Sequence, residues 1–132
     1  MYGSYGVNAW AMNPLDIGVP GTYDTNPSWR PNYFRKMTVS NASRIPLMGG
    51  AMWDGTHPLD TDAPPSIKGV EGSDLSKFCL DRHNGGPNLL FMDASTRKVG
   101  LKELWTLKWH KEFDISGWSG DWPDWMEPYK DY

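Results

Sequence analysis

The chain has 132 residues and a formal net charge of −3. That is enough for one core burying roughly two thirds of the unfolded surface, and too acidic to offer nucleic acid a basic field. Fourteen glycines and eleven prolines stand against eight tryptophans, six tyrosines and four phenylalanines, so the composition points to a single packed, loop-rich domain over 1–132 and away from disorder. The lone cysteine, Cys79, excludes an internal disulfide and a thiolate metal cluster; no run of about twenty apolar residues offers a membrane span, and no signal peptide is visible.

Residues 4–10 alternate, with Tyr5, Val7 and Ala9 on one side and Gly6, Asn8 and Trp10 on the other, which predicts a strand. Residues 13–32 hold four prolines and two glycines and read as a long excursion, a length that in a compact domain commonly serves as a contact surface. Arg30, Arg35 and Lys36 gather in the N-terminal third and are expected to be solvated. Asn41-Ala42-Ser43 matches a glycosylation acceptor that most bacteria leave silent. Residues 45–53 are apolar and predict a strand with a bulge at Gly49-Gly50, followed by an excursion over 54–70 rich in aspartate and proline.

Residues 77–82 and 88–92 are short apolar-rich runs separated by Asn84-Gly85-Gly86-Pro87, whose positive-φ tolerance and missing proline donor predict a reversal. Thr96–Val99 returns as a third strand, giving an antiparallel meander around 77–99. Neither side of Leu89-Leu90-Phe91-Met92 is polar, so that strand is expected to be covered on both faces. Leu101, Leu104, Trp105 and Trp109 fall at helical spacing, with Lys102, Lys108 and Lys111 towards the polar side, which predicts a short amphipathic helix over 101–111. Beyond Phe113 the chain is broken by glycine and proline; it is expected to wrap the sheet with indole anchors and one helical turn at 122–126. The fold class is therefore α+β.

Several constellations invite a chemical reading. His83 and Asp93 resemble an acid–base pair, but with His83 paired near Asn88 across the turn Asp93 lies five residues further along the strand, about 17 Å away and beyond proton-transfer reach; the expectation is that His83 organises its turn and Asp93 opens the next with an Asx-type bond. Asp54, Asp60, Asp62, Asp114, Asp121 and Asp124 are loop carboxylates of the kind calcium takes, though their spacing matches no EF-hand loop and solvated acidic loops are the plainer expectation. His57, His83 and His110 lack the short spacing of a zinc site. No nucleophile elbow and no phosphate loop is present, so nothing supports an enzyme. Trp118, Trp122 and Trp125 have two readings: they clamp the sheet, or they stand exposed in a row as a carbohydrate-binding platform.

The run Arg82-His83-Asn84-Gly85, then Asn88, Leu89, Leu90, Phe91 and Asp93, resembles the His-x9-Asp-Gly signature of bacterial prepilin-type proteins, the planctomycete-type relatives of type IV pilins and type II secretion pseudopilins. Ala94 stands where that family usually has glycine, which suggests that position 94 need not adopt a glycine-only conformation. Ser4–Trp10, Val99–His110 and Asp121–Met126 extend the resemblance over most of the chain. It implies a pilin-like globular head whose N-terminal helix precedes Met1, with Arg82, His83, Asn84, Gly85, Asn88, Phe91 and Asp93 carrying fold and not catalysis. It further implies other pilin or pseudopilin subunits and the pilus or secretion machinery as partners. Membrane contact would come only through the absent helix, the location would be the cell envelope, and no cofactor is called for beyond a possible calcium.

Overall fold

The computed structural model describes residues 4–12, 27–36 and 38–132. Its strands are β1 (Ser4–Asn8), β2 (Pro46–Ala51), β3 (Gly55–Thr56), β4 (Asn88–Phe91) and β5 (Thr96–Lys98), joined in one sheet of order β3-β1-β2-β4-β5. β1 runs antiparallel to β2 with Tyr5 opposite Gly50 and Val7 opposite Met48; β4 lies antiparallel to β2 and β5, placing Leu90 beside Met48 and Thr96. β3 is parallel to β1, so the sheet is mixed. The helical segments of the described residues are short 3-10 turns, which makes this a mainly β domain. None is long and apolar enough to cross a membrane.

Strand periodicity divides the sheet into two unlike faces. Gly6, Asn8, Gly49, Ala51, Leu89 and Phe91 point inward, and beneath them Leu75, Phe78, Leu104, Trp105, Trp109 and Met126 form the main core, all but fully buried. Gly49 is required there, because a Cβ would lie 2.1 Å from the Leu89 side chain and 2.7 Å from the Asn88 carbonyl. Phe34, Ile45 and Met92 make a smaller second cluster, flanked by Val39, Ala42 and Leu47. The other face carries Tyr5, Val7, Met48 and Leu90 and is only partly covered by the described residues: Tyr5 is 70% exposed, the other three are half-buried, and Gly50 between them lies under Pro87 and Arg82.

Several expectations need correction. Residues 77–82 do not form a strand. Leu75–Phe78 is a 3-10 turn, and Leu80 N–H and Arg82 N–H each bond the carbonyl two residues back, at 2.8 Å, which removes them from any ladder. The hairpin is therefore β4–β5, turning at 92–95. The meander over 77–99 has only those two strands, and the sheet is not purely antiparallel. The register irregularity of β2 lies between Pro46 and Met48, not at Gly49-Gly50; proline has no N–H to give the ladder. β4 is covered on one face only, since Leu90 looks outward.

The helix expected over 101–111 is a 3-10 turn, Lys102–Thr106. Trp105, Leu107 and Trp109 are all buried, and their period of two cannot share one helix face, so the chain becomes extended at Leu107 (φ −89°, ψ 153°). Lys102, expected on the polar side, is 4% exposed; its ammonium pairs with Asp131 at 2.6 Å and lies over the Trp122 ring. The turn near 122–126 is present as Asp124–Met126. Of the 13–32 excursion, residues 13–26 lie outside the described residues, and Pro27–Asn32 is a 3-10 segment.

Candidate functional site

The signature residues occupy the two ends of β4. At its N-terminal end His83, Asn84 and Gly85 all have positive φ (51°, 60° and 108°), a run that turns the chain back on itself. Asp81 holds this turn: one carboxylate oxygen accepts from the Gly85 N–H at 3.0 Å, and the other from the Tyr129 hydroxyl at 2.6 Å and from the Lys68 ammonium. The Lys68 ammonium and Tyr129 hydroxyl hold the Asp81 carboxyl below the usual carboxylate range. Gly86 then passes so close to Val99 that a Cβ would sit 1.7 Å from its carbonyl oxygen, while the Gly86 N–H bonds the Arg82 carbonyl at 3.0 Å. Arg82 itself lies along Gly50 on the sheet's outer face.

His83 does not organise the turn. It is exposed, and its side chain makes no hydrogen bond among the described residues. The residue that does the organising, Asp81, lies two positions earlier, and nothing in the spacing distinguished it from the other carboxylates. Asn88 opens β4 and is exposed, whereas Phe91 is fully buried with the Arg97 guanidinium 4.8 Å from its ring centroid. At the far end Asp93 Oδ1 accepts from the Ser95 N–H at 2.9 Å and the Ser95 hydroxyl at 2.5 Å, an Asx turn. These bonds lower the Asp93 pKa. Ala94 has φ +66°: the position takes the left-handed conformation that glycine favours and that an alanine can also adopt at some cost in strain.

The calcium candidates are dispersed. Asp62 Oδ2 caps the backbone N–H groups of Leu59 (3.0 Å) and Leu75 (2.8 Å); burial raises its pKa, and those two bonds oppose the rise. Asp114 Oδ1 caps Ser116 at 2.9 Å, Asp60 faces His110, Asp121 uses its backbone carbonyl to receive the Trp118 indole, and Asp54 and Asp124 are exposed. Among the described residues no three His, Cys, Asp or Glu side chains come together to hold a metal ion. The 54–70 loop, which holds Asp54, Asp60 and Asp62, is held by indoles. Trp10 Nε1 donates to Pro58 O at 2.7 Å, Trp105 Nε1 to Asp62 O at 2.7 Å, and Trp125 Nε1 to Pro65 O at 2.8 Å.

Trp118, Trp122 and Trp125 are half-buried against the main core. Trp122 packs edge-on to Trp105 and Trp125 edge-on to Tyr129, so they do not form an exposed row. Cys79 is 1% exposed and burial pushes its thiol up to about 12, a packing residue and not a nucleophile.

Sequence reasoning missed the most unusual polar group. His110 is 3% exposed and stands among Trp10, Phe113 and, beyond Trp10, His57 and Tyr33, whose hydroxyl is 3.0 Å from His57 Nε2. Its Nδ1 accepts from the Glu112 N–H at 3.2 Å, which puts the ring proton on Nε2. Among the described residues Nε2 is buried without a hydrogen-bond partner, and the Asp60 carboxylate is 3.8 Å away. Nearby, Asn8 is fully buried and fully used: Nδ2 donates to Pro46 O (2.8 Å) and Trp109 O (2.9 Å), and Oδ1 accepts from the Trp10 N–H. Its place on the inward side of an alternating strand was the only signal of that role.

Comparison with protein-family models, with curated proteins and with solved structures finds no match to this chain.

Proposed function

We propose that the chain is the globular head of a pilin-like or pseudopilin-like protein, a structural and non-catalytic subunit of a type IV pilus-like filament or a type II secretion pseudopilus at the cell envelope. The observation that carries this reading is the outer face of the sheet, where Tyr5, Val7, Met48 and Leu90 leave an apolar strip open beside a cleft of about 220 Å3 lined by Tyr5, Met48 and Leu90. A sheet with one face on its core and an apolar second face calls for another layer. An apolar N-terminal helix of the kind the resemblance implies would supply that layer and would also join neighbouring subunits. The roles of the signature residues agree with such a scaffold: Gly85, Phe91 and Asp93 serve turns and packing.

The test is localisation on fibres. Antibodies raised against these 132 residues should decorate filaments sheared from the source cells, or the membrane fraction from which a pseudopilus assembles, under immunogold electron microscopy. Label confined to the cytosol, with fibres and membranes bare, sinks the proposal.

A further inference from the structure

On the flank of the second core cluster the chain encloses an open cavity of about 440 Å3. Phe34 and Ile45 (5% and 2% exposed) form its floor, and Val39 and Ile115 its walls. Its rim carries three cations, Arg44, Lys108 and Lys111, and among the described residues no carboxylate lines it. This concentration is local, because the whole chain is net acidic at −3. Arg44 Nη2 donates to Thr106 O at 3.0 Å and Lys108 Nζ to Phe113 O at 2.8 Å. Both heads are thereby fixed by neutral carbonyls, and neither charge is neutralised by an ion pair among the described residues. Asp114, beside Ile115 in the sequence, is not among the lining residues; its Oδ1 accepts from the Ser116 N–H at 2.9 Å, and Lys108 acts on it through space without an ion pair among the described residues.

From this we infer that the cavity is a binding site for a small amphipathic carboxylate: an aliphatic or aromatic body in the Phe34–Ile45–Val39–Ile115 pocket, its anionic head met by Arg44, Lys108 and Lys111. Each part of the inference has a physical ground. An apolar pocket with a few convergent polar groups is the ordinary form of a small-molecule site. Held cations bond a carboxylate in shorter, stronger contacts than neutral donors do. Lys111 is exposed, and its side chain makes no hydrogen bond or ion pair among the described residues, so its charge can be changed without disturbing the fold.

The experiment titrates the methyl-labelled protein with decanoate, decan-1-ol and decyltrimethylammonium, each below its micelle concentration, and follows the Val39, Ile45 and Ile115 methyl resonances. Decanoate should shift these three saturably and bind about tenfold tighter than the alcohol of the same body, about 1.4 kcal/mol. Added salt should narrow that gap. Lys111→Glu should weaken decanoate about five- to tenfold, leave decan-1-ol unchanged and leave methyls outside the pocket where they were. Equal binding of all three probes, shifts centred on Met48 and Leu90 at the sheet face, or no saturable shift would each overturn the inference.

Discussion

His110 makes the stability of this domain depend on mild acid. Burial lowers its pKa from 6.5 to about 4, with Lys108 pushing in the same direction and Asp60 opposing. Between those values the unfolded chain takes up a proton that the folded chain refuses, so stability is complete above about pH 6.5 and falls as the pH drops towards 4. At about pH 4.5 protonation favours the unfolded ring by a factor on the order of a hundred, about 2–3 kcal/mol, a large share of the stability of a domain this size. The perturbation is His110→Phe, which keeps an aromatic body against Trp10 and Phe113 and removes both the proton and the unpartnered Nε2. The Glu112 N–H that loses its acceptor belongs to an exposed residue and turns to water. Urea unfolding at a series of pH values from 7 to 4.5 should give a wild-type free energy that declines by about 2–3 kcal/mol and a variant free energy that is nearly flat over the same range. Asp81 and Asp93 lose their stabilising bonds only at lower pH, because their folded pKa values lie below 3.8. Parallel declines in the two proteins would refute the reasoning, since the acid sensitivity would then belong to other groups.

Ala94→Gly should raise stability by about 0.5–1 kcal/mol in thermal or urea unfolding, the left-handed strain at φ +66° less glycine's extra unfolded freedom; a loss would show that the alanine methyl has a packing role. Asp81→Ala should cost about 2–3 kcal/mol by freeing the Gly85 N–H and the Tyr129 hydroxyl, whereas exposed His83→Ala should stay within about 0.5 kcal/mol; the reverse ranking in chemical denaturation would return the turn to His83. Trp125→Phe keeps a ring against Tyr129 but removes the donor to Pro65 O, so about 1–2 kcal/mol should be lost and amide exchange over 59–63 should speed up. Unchanged exchange in that loop would mean the indole bond does not hold it.

The strands were legible where local pattern and burial agree. Tyr5–Asn8 alternates because one side meets Ala51 and Trp109 while the other faces outward, and 46–51 is apolar because both its neighbours are strands. The first arm of the expected meander misled because Phe78, Cys79 and Leu80 are apolar for a different reason: each is buried in a coiled segment whose N–H groups bond within two or three residues. Apolar runs report burial, and burial does not require a ladder. Likewise the helical spacing of Leu101, Leu104 and Trp105 was real for one turn, then gave way at Leu107 to the strand-like spacing that Trp109 needs. The signature turn was legible as a reversal from Asn84-Gly85-Gly86-Pro87. Its stabiliser was not, because Asp81 acts through Tyr129 and Lys68, 48 and 13 residues away in the chain.

The aspartate- and proline-rich loop shows why composition pointed towards a metal. Prolines remove donors, and a loop of this kind has few N–H groups with which to satisfy its own carbonyls, so something external must approach them. A cation would serve, and so would any buried donor. Here the donors are the indoles of Trp10, Trp105 and Trp125, reaching Pro58, Asp62 and Pro65 from 48, 43 and 60 residues away in the chain. An indole brings its single N–H with a large apolar body, so the group that satisfies the carbonyl also fills space against the core. That pairing gives three of the eight tryptophans a polar role besides packing. Within the same loop one Asp62 oxygen caps two backbone amides, those of Leu59 and Leu75. The loop's order is therefore tied to the tail: a change that loosens residues 122–126 withdraws the donor from Pro65 and should reach the Asp62 turn before it reaches the sheet, whose ladders are independent of the tail.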